Sequence, residues 1–214
     1  MSRVVIIGLG IFGTNLTKKL YEAGIEVIAI DKDKEAIEGI KDFCSKAIVA
    51  DSSEKGVFES IGIEGDDKVV VSFGEDLAAS VLTVLHLRQL KVRDIIVKAP
   101  NEEHKVILEM VGASNVIIPE KEVAEKIAKS IISPNVLDYL SVSEDYVICE
   151  ITPPSHFIGK SLEDLRLRSK YNVHVIAVKD VLTDKVTMPT PKGKIKDSDI
   201  LIVIGKSEDV DKLK

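Results

Sequence analysis

Chemistry concentrates first in Val4-Val5-Ile6-Ile7-Gly8-Leu9-Gly10-Ile11-Phe12-Gly13, where glycines at G-x-G-x-x-G spacing separate a β-branched stretch from a helical pattern. Gly8 suits a tight turn, Gly10 lets backbone approach a phosphate closely, and Gly13 lets the following helix lie against the strand. A helix opening here offers an anion unpaired N–H groups and the positive end of its dipole. Asp31 ends the next apolar run, 18 residues beyond Gly13. A carboxylate so placed accepts hydrogen bonds from both ribose hydroxyls and repels a 2′-phosphate, which favours NAD over NADP. Three further run ends bring polar groups toward the same edge. Asp51, in Ala50-Asp51-Ser52-Ser53, reads either as the N-cap of a helix near residue 54 or as a group beside an adenine. Ser72-Phe73-Gly74 and Lys98-Ala99-Pro100-Asn101 close the fourth and fifth runs. Lys98 there either neutralises a phosphate or is a solvated strand-end lysine.

Groups that would do catalysis are scarce. His86, His104, His156 and His174 sit in no nucleophile elbow and no metalloprotease pattern. His104 is the one residue placed for proton transfer near the crevice, but without a partner carboxylate it reads first as a helix-start residue. No large substrate domain follows the glycine-turn region. Cys44 and Cys149 are isolated and lack CxxC spacing, so neither a disulfide framework nor a zinc site is expected, in keeping with a reduced cytoplasm. The formal charge is 29 − 35 = −6. That argues against a nucleic-acid partner held by a broad basic surface. No apolar run is long enough to span a bilayer, and Arg3–Ile7 begins a strand without a signal-peptide pattern before it.

These groups need a frame. Apolar runs at 3–7, 26–30, 47–50, 68–72, 94–98 and 115–118 are continuous rather than alternating, which suits strands of a parallel sheet buried on both faces. Helical patterns fall between them near 13–23, 33–43, 54–61, 76–90 and 103–111. Such β–α alternation predicts an α/β, Rossmann-like, doubly wound parallel sheet. A further amphipathic helix is expected over 120–132, with Val123, Ile127 and Ile131 in one stripe, ending before Ser133-Pro134. It either covers its own sheet or packs on a partner, and a stripe of this kind would be left wet in a monomer. Strands at 147–151, 173–178 and 200–204, with a short helix at 160–167 and hairpins over 180–196, predict a small second α/β domain. The domain boundary is placed within 133–144, giving domains 1–133 and 134–214.

In this order, Gly8-Leu9-Gly10-x-Phe12-Gly13, Asp31-Lys32-Asp33, Ala50-Asp51-Ser52, Val97-Lys98-Ala99-x-Asn101 and Ile118-Pro119-Glu120-Lys121 resemble the RCK (KTN) domains that regulate potassium conductance. The tail, with Ile158-Gly159-Lys160-Ser161-Leu162, Leu165-Arg166-Leu167-Arg168, Lys192-Gly193 and Asp197-x-Asp199-Ile200-Leu201, resembles the associated RCK-C (TrkA-C) module. One N-module and one C-module make the layout of a Ktr-type gating subunit. The resemblance implies an α/β fold: a Rossmann-like sheet, a crossover helix and a small RCK-C domain. It implies a nucleotide site of Gly8, Gly10, Ile11, Phe12, Gly13, Asp31, Lys32, Asp51, Ser52, Ser72, Phe73, Gly74 and Lys98. The ligand implied is NAD(H) or an adenine nucleotide (AMP, ADP or ATP).

Many Ktr-type members carry Arg where this chain has Ile11, so ATP is disfavoured against NAD(H), ADP and AMP. Glu120 matches an acidic position that helps hold a divalent cation at a dimer interface. Arg168, His174 and Pro191 match a region that binds cyclic di-AMP in some relatives; a plain dimerisation module is the other reading. The implied function is a non-enzymatic regulatory subunit of a membrane potassium transporter. It would be cytoplasmic at the inner face of the membrane, and a homodimer assembling into a higher ring, an octamer. A small NAD-dependent oxidoreductase and a free nucleotide sensor stay as alternatives.

Overall fold

The computed structural model describes residues 3–54, 56–73, 75–133, 135–143 and 145–213, and the chain divides into two compact units, Met1–Glu120 and Lys121–Lys214. In the first, strands β1 (Val4–Ile7), β2 (Val27–Asp31), β3 (Lys46–Val49), β4 (Lys68–Val71), β5 (Asp94–Lys98) and β6 (Asn115–Ile117) form one parallel sheet in the order β3-β2-β1-β4-β5-β6. Successive side chains of a strand point to opposite faces, so a strand covered on both faces must be apolar throughout. On one face Val5, Ile7, Ile28, Ile30, Val69 and Val71 pack with Phe58, Leu87 and Leu108. On the other, Val4, Ile6, Val27, Ala29 and Val70 pack with Ile37 and Ile40. The sheet matches the continuous runs in the sequence, with ends shifted by a residue or so.

Helices α1 (Ile11–Glu22), α2 (Lys34–Ile40), α3 (Val57–Ile61), α4 (Leu77–Gln89) and α5 (Glu102–Val111) join the strands. The side chains of Asp33, Asp76 and Asn101 accept N–H bonds at the starts of α2, α4 and α5. At the start of α1 stands Gly10, which has no side chain to do so.

The second unit holds an antiparallel sheet of β7 (Val136–Ser141), β8 (Tyr146–Ile151), β9 (His174–Asp180), β10 (Lys185–Thr187) and β11 (Asp199–Lys206), ordered β10-β9-β11-β8-β7. Its core gathers Val147, Cys149, Ile151, Phe157, Leu165, Leu167, Val173, Leu201 and Val203. Helix α6 (Pro119–Ile132) begins in the first unit and continues into the second. The two compact units divide after Glu120, with most of α6 in the second, where Lys126 Nζ lies 3.0 Å from Asp138 Oδ1 and Lys129 stands over the Tyr139 ring. Pro134, expected to stop this helix, lies outside the described residues.

Two local expectations change. Strand β7 occupies much of the segment in which the domain boundary was placed. The single helix expected over 160–167 is two turns, α7 (Leu162–Leu165) and α8 (Leu167–Tyr171), broken at Arg166, whose φ is +48°. A capping box between Ser161 and Asp164 starts α7.

Candidate functional site

In an open α/β sheet a ligand crevice forms where the strand order reverses, beyond the carboxyl ends of the strands. Here that point lies between β1 and β4, and a cleft of about 350 Å³ opens there. Its turn is held by close packing. Gly8 has φ +91°, which favours glycine. A Cβ on Gly13 would stand 2.0 Å from the Gly8 carbonyl oxygen and 2.5 Å from Ser72 Oγ. The Ser72 hydroxyl donates to that same Gly8 carbonyl, tying the end of β4 to the turn.

Asp31 does more than end β2. One of its carboxylate oxygens accepts the Leu9 N–H from the glycine turn, and the other accepts the Asp33 N–H at 2.8 Å. The carboxylate therefore fastens the β1–α1 and β2–α2 connections to each other. Asp51 is not the cap of α3, which starts at Val57 after Gly56. Its Oδ1 accepts from Ser53 N at 2.9 Å and Ser53 Oγ at 2.6 Å, and these two bonds hold its carboxyl below the usual range. Thr83 Oγ1 meets Ser52 Oγ at 3.1 Å, so the buried Ser52 is anchored from α4.

Of the expected site residues, Gly8, Asp31, Lys32, Asp51, Ser52, Ser72, Phe73 and Lys98 line this cleft together. Gly10, Ile11, Phe12 and Gly13 do not line it. Ile11 opens α1 and is 89% exposed, Phe12 packs on the core behind the turn, and Gly13 is buried against Gly8. Gly74 lies outside the described residues. The sequence reading missed Glu75, Asp76 and Ala79, which line the cleft at the start of α4. Asp76 as an N-cap before an apolar helical run was the available signal. His104 is not among the lining residues; it sits in the first turn of α5, where its N–H donates to Asn101 Oδ1.

Glu120 lies 2.6 Å from Lys98 Nζ, a contact that lowers its carboxyl pKa. It supplies one carboxylate, already paired. Among the described residues no group of three or more His, Cys, Asp or Glu is placed to hold a metal.

In the second unit, Arg168, His174 and Pro191 line one cavity of about 660 Å³, joined by Arg166, Asn172 and Thr190. Both cysteines are buried and free, and burial pushes the Cys149 thiol up to about 11. No helix of the described residues is long and apolar enough to cross a membrane.

The 3-2-1-4-5-6 strand order, the glycine turn and the acid ending β2 define a Rossmann-type nucleotide-binding fold followed by a small antiparallel module. Family models agree with both parts: a TrkA-N domain matches residues 4–119 and a TrkA-C domain residues 146–214. The chain is 39% identical over 205 residues to Ktr system potassium uptake protein C of Bacillus subtilis (strain 168), covering 96% of this chain and 92% of that one. Its identity to Ktr system potassium uptake protein A of the same organism is 36%, at the same coverage. Among solved structures, the GsuK channel bound to NAD superposes with a TM-score of 0.66 at 15% identity, covering 97% of this chain and 38% of that chain. The chain therefore belongs to the family of TrkA-N/TrkA-C (RCK) proteins of the Ktr potassium uptake type.

Proposed function

We propose that this chain is a nucleotide-binding regulatory subunit of a potassium uptake system. It binds NAD(H) or another adenine nucleotide in the cleft at the switch point and passes that state to a separate membrane subunit. Gly10 is the observation that carries the binding half. Its φ of −62° suits any residue, and a Cβ there would meet no atom within 4 Å. Nothing within the described chain calls for glycine at this place, whereas a phosphate drawn to the uncapped start of α1 does. Asp31, one loop away, is positioned for the ribose. The Ktr names of the relatives support the transport half. A ligand shifts an equilibrium only through differential affinity for two states, and a regulatory subunit needs that difference rather than a chemical step.

The subunit works without catalysis, in the cytoplasm at the inner face of the membrane. It pairs with a second copy through the exposed stripe Val123, Ile127 and Ile131 and assembles into a higher ring, an octamer. A second reading concerns the C-terminal module. The cavity shared by Arg168, His174 and Pro191 holds a further arginine, Arg166, and suits a cyclic dinucleotide such as cyclic di-AMP.

The test is potassium flux into liposomes carrying the candidate transporter, with this subunit and each nucleotide in turn. Flux should change with nucleotide for the wild type and lose that response in Gly10→Ala, which keeps its fold but crowds the phosphate. Flux indifferent to subunit and nucleotide, despite docking, refutes the proposal.

A further inference from the structure

The side chains lining the cleft carry an uneven charge. Lys32 and Lys98 share the lining with Asp31, Asp51, Glu75 and Asp76. A nucleotide phosphate entering here needs a cation, and Lys98, at the carboxyl end of β5, is engaged elsewhere. Its Nζ sits 2.6 Å from Glu120 Oε1, with side-chain exposures of 22% for the lysine and 66% for the glutamate. The sheet enforces this meeting. Lys98 pairs in register with Ile117 on β6, and Glu120 follows three residues later in the first turn of α6.

We propose that Glu120 is a built-in competitor for Lys98, which a nucleotide phosphate must displace, so that this pair sets how much ligand charge the cleft accepts. The inference rests on the nucleotide reading of the cleft. An ion pair with one partner two-thirds exposed is weak, because water screens it. A phosphate offering charge-assisted hydrogen bonds, backed by the start of α1, outbids it. With Glu120 in place, the cleft keeps a net negative lining that penalises highly charged ligands. Once Lys98 turns to phosphate, Glu120 is released at the start of the helix that carries the chain from the first unit into the second. Glu120 is then a specificity-determining residue that acts through Lys98, without touching the nucleotide.

Isothermal titration on the full chain tests this, with adenosine, AMP and NAD⁺ against wild type, Glu120→Gln, Lys98→Met and the double variant. Glu120→Gln should tighten AMP and NAD⁺ by about fivefold, the upper range for an exposed ion pair, and leave adenosine unchanged. Lys98→Met should weaken AMP and NAD⁺, and in that background Glu120→Gln should have no effect. Unchanged or weaker AMP binding in Glu120→Gln overturns the competition, and so does equal tightening of adenosine. A lower melting temperature with unchanged affinities reduces the pair to a structural tie and overturns it too. Wild type that binds none of the three ligands refutes the nucleotide reading, and this inference with it.

Discussion

In the first unit β1 buries every residue from Val4 to Ile7, and β2 buries Val27 to Ile30. In the second, β11 alternates: Leu201 and Val203 are fully buried, while Ile200, Ile202 and Ile204 beside them are half-buried. The amino acids are of the same kind in both. What differs is what the chain lays over them. Helices cover both faces of the parallel sheet, so the apolar residues of its central strands β1 and β2 find partners from the same chain, while at the edge strand β3 Val49 stays exposed. The antiparallel sheet has a fully buried face and a face that is less so, and its hairpin leaves Val181, Leu182, Val186 and Met188 exposed. A unit of the first kind owes its stability to its own core. A unit of the second kind leaves apolar surface that association would cover, as in the dimer proposed above.

The sharpest way to break this contrast is through glycines. Gly13→Ala places a Cβ 2.0 Å from backbone, where little can yield, and should cost about 4 kcal/mol in the first unit. Gly205→Ala in β11 meets Val173 Cγ2 at 3.0 Å and should cost about 1 kcal/mol. Scanning calorimetry should show the first change lowering the transition of the first unit far more than the second change lowers that of the second. Comparable shifts would mean that the glycine turn is not the tighter joint.

Next in size is Asp31→Ala. It should weaken adenine-nucleotide binding by about 1.5–3 kcal/mol, the range for hydrogen bonds to a charged group. Wild-type affinity in titration calorimetry would remove Asp31 from the site.

The smallest effect belongs to the second unit. Burial raises the Cys149 thiol from 9.0 to about 11, so the folded state holds its proton where the unfolded chain has lost it. The resulting stability is present below pH 9 and is lost as pH rises from about 9 to 11. Urea melts at pH 8 and pH 10.5 should show a larger loss in wild type than in Cys149→Val. Equal losses would show that the thiol titrates freely.

Much of the first unit was legible because its chemistry is local. A glycine turn, an acid at a strand end and unbroken apolar runs are patterns of adjacent residues. β7 was not legible: Val136–Ser141 reads VLDYLS, apolar but neither unbroken nor strictly alternating, and only Val136 of it is buried. The break at Arg166 depends on a left-handed backbone that arginine rarely adopts, and no residue type announced it. Glu75 and Asp76 were passed over because they look like ordinary helix-start acids. Lys98 and Glu120 were both singled out, yet their pairing is set by the β5–β6 register, which no local pattern reveals.

Asp31 carries a consequence for how such a chain can change over time. The same carboxylate proposed to meet the ribose also accepts the Leu9 and Asp33 amides and so organises the loops around it. Shifting preference toward a 2′-phosphorylated dinucleotide requires removing that negative charge. Removing it also takes their acceptor from the Leu9 and Asp33 amides and loosens the turn proposed to hold the phosphate. The two properties cannot be altered one at a time by a single substitution at this position. A lineage changing its nucleotide would first need another group to tie the loops together, and until then the architecture of the turn keeps its ligand preference in place.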